Sequence, residues 1–283
     1  MGGDTRKLKD CIGSQEKLEG YLREKAENHQ TYRIYSDKLC RITDIVKNHY
    51  LYLNDGSNWN DTVDRDELNP PGSTEKIFAR CMSYTKSENV AMWMLYGGTQ
   101  STGAMLKLRR AQFTRIIQAN EIELGEFING EFRRHTILRK GDFEIYASDI
   151  VYYDNINSKD GYTLKRSDDR ASHISCDYIK SLRGIKKTFP WNYENECRLI
   201  VKVKKEFLKD NDHVVRIHIG KLLDSKHQLT EEQIYHHPNF TGSYKYEASA
   251  LKGKINWQLC PCARRKEQQE KKAEEKELCY SRV

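Results

Sequence analysis

Two carboxylates, Glu194 and Glu196, stand in the run Trp191-Asn-Tyr-Glu-Asn-Glu-Cys-Arg-Leu-Ile200, which ends as a core strand should. Side chains two apart in a strand share a face, so this spacing sets the two acids side by side. Such a pair can stabilise a developing positive charge with one member and take up a proton with the other. Equally, one of the two can hold Arg198, on the same face, as a structural ion pair. Two more segments carry polar residues inside core-like sequence, Tyr32-Arg-Ile-Tyr-Ser36 and the stretch from Ser83 to Tyr96. A buried polar group left unpaired costs about 1–3 kcal/mol, so each of these asks for a partner or a ligand. Arg33, between Tyr32 and Ile34, offers a planar fork suited to a pyrophosphate or ribose hydroxyls, with an ion pair to Glu196 or another acid as the competing role.

The elements that position these groups are read from periodicity. Residues 1–30 form a polar helical lead-in whose weak apolar stripe is Leu18, Tyr21 and Leu22. Tyr32 to Ser36 is a short strand, followed by a helix from about Asp37 to Asn48 with Leu39, Ile42, Ile45 and Val46 on one face, and a strand from Tyr50 to Leu53. Ile77 to Tyr84 alternates as a strand; Ser87 then caps a helix that reaches Tyr96 and stops at Gly97-Gly98. Further strands are expected at Gly103 to Leu108, Phe143 to Tyr153, Glu196 to Val203 and His213 to Ile219, with a helix from Asp169 to Leu182. Only some strands are joined by helices, which predicts an α+β fold: a twisted, mostly antiparallel or split β-sheet with flanking helices. One α+β domain spans 31–258, and the Arg, Lys, Glu and Gln run within 259–283 is an exposed helix or a disordered tail.

Several chemistries are disfavoured. Gly98 to Gly103 has the glycine spacing of a phosphate loop, but Ala104-Met105 follows where Lys-Ser/Thr is required. The acids Asp61, Asp64, Asp66 and Glu67 lack the glycine and terminal glutamate of a Ca²⁺ loop and read as a solvated loop; Cys260-Pro-Cys262 lacks a second zinc-spaced pair. No metal site is therefore expected. The apolar runs are too short to cross a bilayer and Met1 to Lys7 is no export signal, so a cytoplasmic protein without a membrane partner is expected. A net charge of +7 favours an anionic partner. Basic clusters follow the strand at 103–108 (Arg109, Arg110) and precede Trp191 (Lys186, Lys187), and these are candidate nucleic-acid contacts, with a solvated surface as the alternative.

Read in order, Tyr-Arg-x-Tyr-Ser at Tyr32, Trp59-Asn60-Asp61, Cys81-x-Ser83 with Met92-Trp93-x-x-Tyr96, and Trp191-x-Tyr-Glu-x-Glu-x-Arg-Leu-Ile resemble the bacterial family called domain of unknown function 2971. The similarity spans about Thr31 to Ile255, with Thr62 where that family usually has proline. Its layout in turn resembles ADP-ribosyltransferases, which open on a Tyr-His/Arg strand and place a glutamate on a late strand. That resemblance implies NAD as co-substrate, with Glu196 stabilising the positive charge that develops on the ribose and Glu194 assisting the acceptor. It implies NAD contacts from Arg33, Tyr35, Ser36, Ser83, Trp93 and Tyr96, though aromatic residues at helical spacing also suit a core. Transfer to RNA or DNA would poison the host cell, which implies a toxin in a toxin–antitoxin or phage-defence unit with a neutralising antitoxin or chaperone. A non-catalytic nucleic-acid-binding or adaptor protein with a structural Arg/Glu network is the rival expectation.

Overall fold

The computed structural model describes residues 7–236 except 60, 86–88, 98–102, 158–160 and 168. The charged tail, Asn60, Ser87 and Gly98 lie outside the described residues, as do Cys260 and Cys262. The strands are β1 (Thr31–Ser36), β2 (Tyr50–Asn54), β3 (Glu75–Ser83), β4 (Ala104–Arg109), β5 (Glu121–Ile128), β6 (Glu131–Arg139), β7 (Phe143–Asp149), β8 (Val151–Asn157), β9 (Gly161–Arg166), β10 (Asp169–Ile174), β11 (Lys186–Thr188), β12 (Glu196–Lys204), β13 (Val214–His218) and β14 (Ile234–His236). The helices are α1 (Leu8–Cys11), α2 (Gln15–Glu27), α3 (Leu39–Asn48), α4 (Thr62–Leu68), α5 (Val90–Tyr96), α6 (Arg110–Ile116) and α7 (Cys176–Ser181). The fold is α+β with a mostly antiparallel sheet and flanking helices.

The larger sheet runs β14-β4-β1-β3-β2-β13-β5-β6, and β3 also carries β12, which carries β7. Along one edge β3 pairs with β12 over its whole length, from Glu75↔Lys204 to Ser83↔Glu196. Along its other edge it meets β1 at Arg33↔Ser83 and β2 at Asn54↔Ala79. Between those two points lie Arg80, Cys81 and Met82, where β1 and β2 diverge and the sheet opens. The smaller sheet is β10-β9-β8-β11, in which β11 runs parallel to β8.

Alternation along the strands divides the interior in two. One face of the large sheet packs Tyr32, Ile34, Leu53, Phe78, Leu106 and Leu199 against the α3 side chains Ile42, Ile45 and Val46. The other packs Ile77, Ala79 and Ile200 against α2 and the small sheet. Leu18, Tyr21 and Leu22 of α2 are fully buried there, and the Tyr21 hydroxyl donates to Asp169 Oδ2 at 2.6 Å. The lead-in is thus part of the core, where burying each of its leucines contributes roughly 1.5–3 kcal/mol.

Two elements differ from expectation, and a hairpin stands where no element is expected. The helix expected from Asp169 to Leu182 is strand β10 followed by α7, which starts only where the Ser175 hydroxyl accepts from the Tyr178 N–H. The single strand expected from Phe143 to Tyr153 breaks at Ile150, sending β7 to the large sheet and β8 to the small one. The hairpin β5–β6 turns on Asn129-Gly130, both at positive φ (52° and 86°), an Asn-Gly hairpin signal whose flanking charged residues hide the strand alternation. Helix α5 is capped by Asn89, whose side chain accepts from Ala91 N–H, and its end is Gly97 as expected. Among the described residues no helix is long and apolar enough to cross a membrane.

Candidate functional site

In antiparallel ladders residues directly opposite one another project from the same face. Arg33, Ser83 and Glu196 therefore form one row across β1, β3 and β12, with Cys81 and Arg198 in the next. Glu194 reaches this row by a different route from the one expected. It ends a 3-10 turn, Phe189–Glu194, with Pro190 in its first turn, and Asn195 then adopts the left-handed conformation at φ 43°. Proline cannot donate to a ladder, and asparagine tolerates that conformation, so the strand begins only at Glu196. The two acids are thus not side by side on one strand; they meet through Lys187.

Lys187 Nζ donates to Glu194 Oε2 at 2.7 Å and to Glu196 Oε2 at 3.4 Å. Arg198 Nε donates to Glu196 Oε1 at 2.6 Å, and its two terminal nitrogens grip both oxygens of Asp64, with the Gly184 carbonyl at 3.2 Å as a further acceptor. Tyr96 donates its hydroxyl to Glu194 Oε1. Indole rings cover the cations: Trp59 lies 4.7 Å from Arg198 and Trp191 4.7 Å from Lys187. Asp64 is positioned by α4, whose N-terminus Asp61 caps by accepting from Val63 and Asp64 N–H. With three carboxylates and two cations ionised, this buried cluster carries one net negative charge.

The electrostatics separate the two glutamates. Burial raises the pKa of Glu194, the Glu196 anion raises it further, and Lys187 and Tyr96 only partly offset this, so it is pushed up to about 7. Burial also disfavours the Glu196 anion, but Arg198 and Lys187 outweigh it and hold that carboxyl far below the usual range. Lys187 is kept charged: desolvation opposes this, and the two glutamates overcome it. Burial and the Glu194 charge push the Tyr96 hydroxyl up, so it remains a donor. The site therefore joins a permanent anion to an acid that titrates near neutrality.

A cavity of about 310 Å³ opens over the cluster where β1 and β2 part. Arg33, Tyr35, Tyr96, Lys187, Glu194 and Glu196 line it, together with Asn54, Trp59 and Asp64 from the β2–α4 side and Arg80, Cys81 and Met82 from the parted edge of β3. Arg33 of β1 and Glu196 of β12 share this one cleft, and Arg33 also donates to the Thr85 carbonyl.

Other expected contacts fall elsewhere. Ser83 is fully buried and donates to the Glu194 carbonyl at 2.7 Å, which leaves its hydroxyl turned to the protein. Ser36 closes a turn with the backbone of Lys38. Trp93 packs in a small core with Met105 and Tyr235, its ring 5.1 Å from that of Tyr35. Lys186 is buried against Glu67 and Lys187 belongs to the acidic cluster, so neither forms the exposed basic surface expected there; β11 turns both inward. Arg109 and Arg110 are exposed at the β4–α6 junction, outside the cleft lining, with Arg110 bonded to Asn28.

By sequence, Asp64 falls in a solvated loop and Arg198 pairs with a glutamate, whereas the structure joins Arg198 to Asp64 as well. The sequence signal for Asp64 is the Asp61-x-x-Asp64 spacing of a helix start after a turn. Among the described residues no group of three or more His, Cys, Asp and Glu side chains is placed to hold a metal ion. No family model, no curated protein and no solved structure matches this chain.

Proposed function

We propose that this protein is an NAD-consuming ADP-ribosyltransferase acting on a nucleic acid, on an ADP-ribosyltransferase-like split sheet, and that it serves as a toxin in a toxin–antitoxin or phage-defence unit. The observation that carries the reading is that Arg33 and Glu196 line one cleft at the opening of the sheet. A volume of about 310 Å³ is at the small end of ligand sites, so the cleft takes one nucleoside end of NAD and the remainder lies along its mouth. Arg33 and Arg80 supply the cationic wall for phosphate oxygens, and Tyr35 and Tyr96 the flat apolar surface for a ring.

When the ribose–nicotinamide bond breaks, nicotinamide leaves with the bonding electrons and positive charge builds on the ribose. The fixed Glu196 anion, locked by Arg198 and Lys187, faces that charge without having to reorganise. The acceptor forms the new bond to the ribose carbon and gives its proton to Glu194, whose pKa of about 7 suits a base at neutral pH. Such an activity inside its own cell requires a neutralising partner.

One observation favours a second reading, a binding protein with a structural network: both oxygens of Glu196 are already engaged and Arg198 is fully buried. Incubating the protein with adenylate-labelled NAD and cell RNA, DNA or protein separates the two. Label transfer together with nicotinamide release, reduced at least about 100-fold in Glu196→Gln, supports the transferase. Tyr96→Phe removes one hydrogen bond to Glu194, and an activity loss there with an unchanged thermal unfolding midpoint excludes simple unfolding as the cause. Absence of both label transfer and nicotinamide release in the wild-type protein leaves the structural network.

A further inference from the structure

We propose that the outer face of the β2–β13–β5–β6 sheet binds single-stranded nucleic acid by stacking unpaired bases. The inward side chains of these strands, Leu51, Leu53, Leu124, Val215 and Ile217, are buried in the core. Alternation along β2, β13 and β5, together with the register shift opposite Leu124 and Gly125 that re-aims the start of β6, turns Tyr50, Tyr52, Phe127, Phe132, Arg134 and Arg216 outward together. Phe127 is 47% exposed, so the ring group it belongs to reaches the surface as an apolar patch. The rings form one group: Tyr52 lies 5.1 Å from Phe127 and 5.8 Å from Phe132, which are 5.8 Å from each other. Arg216 is stacked between Tyr50 and Phe132, 4.2 Å from each ring.

Charge and position identify the occupant. Glu123 accepts from both Arg216 and Arg134, so two guanidinium groups share one carboxylate and the platform is left positive. Arg134 is bonded through one nitrogen, and its half-exposed side chain keeps donors for a phosphate. A flat face of rings interleaved with guanidinium groups matches a strand of stacked bases with an anionic backbone. Duplex bases hide their faces, which selects the single-stranded form. The platform also leads to the cleft: Tyr52 and Asn54 are two residues apart on one face of β2, and Asn54 lines the cleft. A strand seated on the rings would deliver its next nucleotide to Glu194 and Glu196. That delivery role rests on the transferase reading, whereas the binding does not.

Fluorescence anisotropy of the purified full chain with labelled twelve-residue oligouridine, oligothymidine and a duplex of equal length tests the surface. The expected result is at least tenfold tighter binding of a single strand than of the duplex, about 5- to 100-fold weaker in Phe127→Ala. Arg134→Ala should lower the salt dependence by about one phosphate contact. Both side chains are exposed, so neither substitution threatens the fold. Equal binding of the duplex, unchanged affinity in Phe127→Ala, or a concentration-dependent self-association that Phe127→Ala abolishes would overturn the proposal, the last by assigning the face to a second copy of the chain. Binding unchanged in Glu196→Gln, in a protein that releases no nicotinamide, leaves the platform standing while the transferase reading fails.

Discussion

Glu194 carries the pH response of the site, because its surroundings lift its pKa from the ordinary 4.5 to about 7. A raised folded-state pKa means that the folded protein favours the protonated acid. That stabilisation is complete below about pH 4.5 and is lost as pH rises through about 7. Only the ionised form accepts a proton, so activity should rise over the same interval in which stability falls. Urea midpoints and kcat/KM measured from pH 5 to 8 should show these opposite slopes, and Glu194→Gln should flatten both. Parallel slopes, or a profile that Glu194→Gln leaves intact, would remove Glu194 from the proton-transfer role. Glu196 acts in the contrary direction: its depressed pKa stabilises the fold above the ordinary carboxylate range, and that contribution disappears only in strong acid.

At the scale of elements, the cleft depends on parts remote from it in sequence. Helix α2 packs behind the sheet in the same buried cluster as Ala79 of the cleft wall and against β7, which pairs with the β12 strand that holds Glu196. Arg23 of α2 stacks 3.6 Å over Tyr146 of β7 and bonds Glu144 at 2.7 Å. Leu22→Ala should therefore lower unfolding stability by about 2–5 kcal/mol, read from chemical denaturation, while kcat in the folded fraction stays near that of the wild type. A stability change under about 0.5 kcal/mol would mean that the lead-in helix is only loosely attached. Gly125 is similarly constrained: a Cβ there would fall 2.0 Å from the Arg133 carbonyl oxygen, at the register shift that lets β6 bend across β5.

For the whole molecule, the cleft and the aromatic platform lie on one sheet. Its opening forms the cleft, its far strands form the aromatic platform, and a ligand at either place binds the folded state alone. NAD at 100 times its dissociation constant should then raise unfolding stability by about 2.7 kcal/mol, visible as an upward shift of Tm. Arg33→Ala should abolish that shift and leave oligonucleotide binding intact. A wild-type Tm unmoved by millimolar NAD would count against a dinucleotide in the cleft.

Strands β1, β3 and β12 are legible from residue order, since short apolar runs bounded by turns leave little choice of conformation there, and Arg33 and the two glutamates stand out in them as polar groups in need of partners. Charged residues in short irregular segments carry no such periodicity. Nothing local distinguishes Lys187 facing solvent from Lys187 between two carboxylates, or shows that Asp64 closes on Arg198 across 134 residues. The Phe127 and Phe132 rings likewise gave no sign of their shared face, because strand register, and with it the side of the sheet each residue occupies, is fixed only when the neighbouring strands pair. Tertiary structure decided those matters: a charge is worth burying only beside its opposite, and that opposite is supplied by chain folding rather than by sequence neighbours.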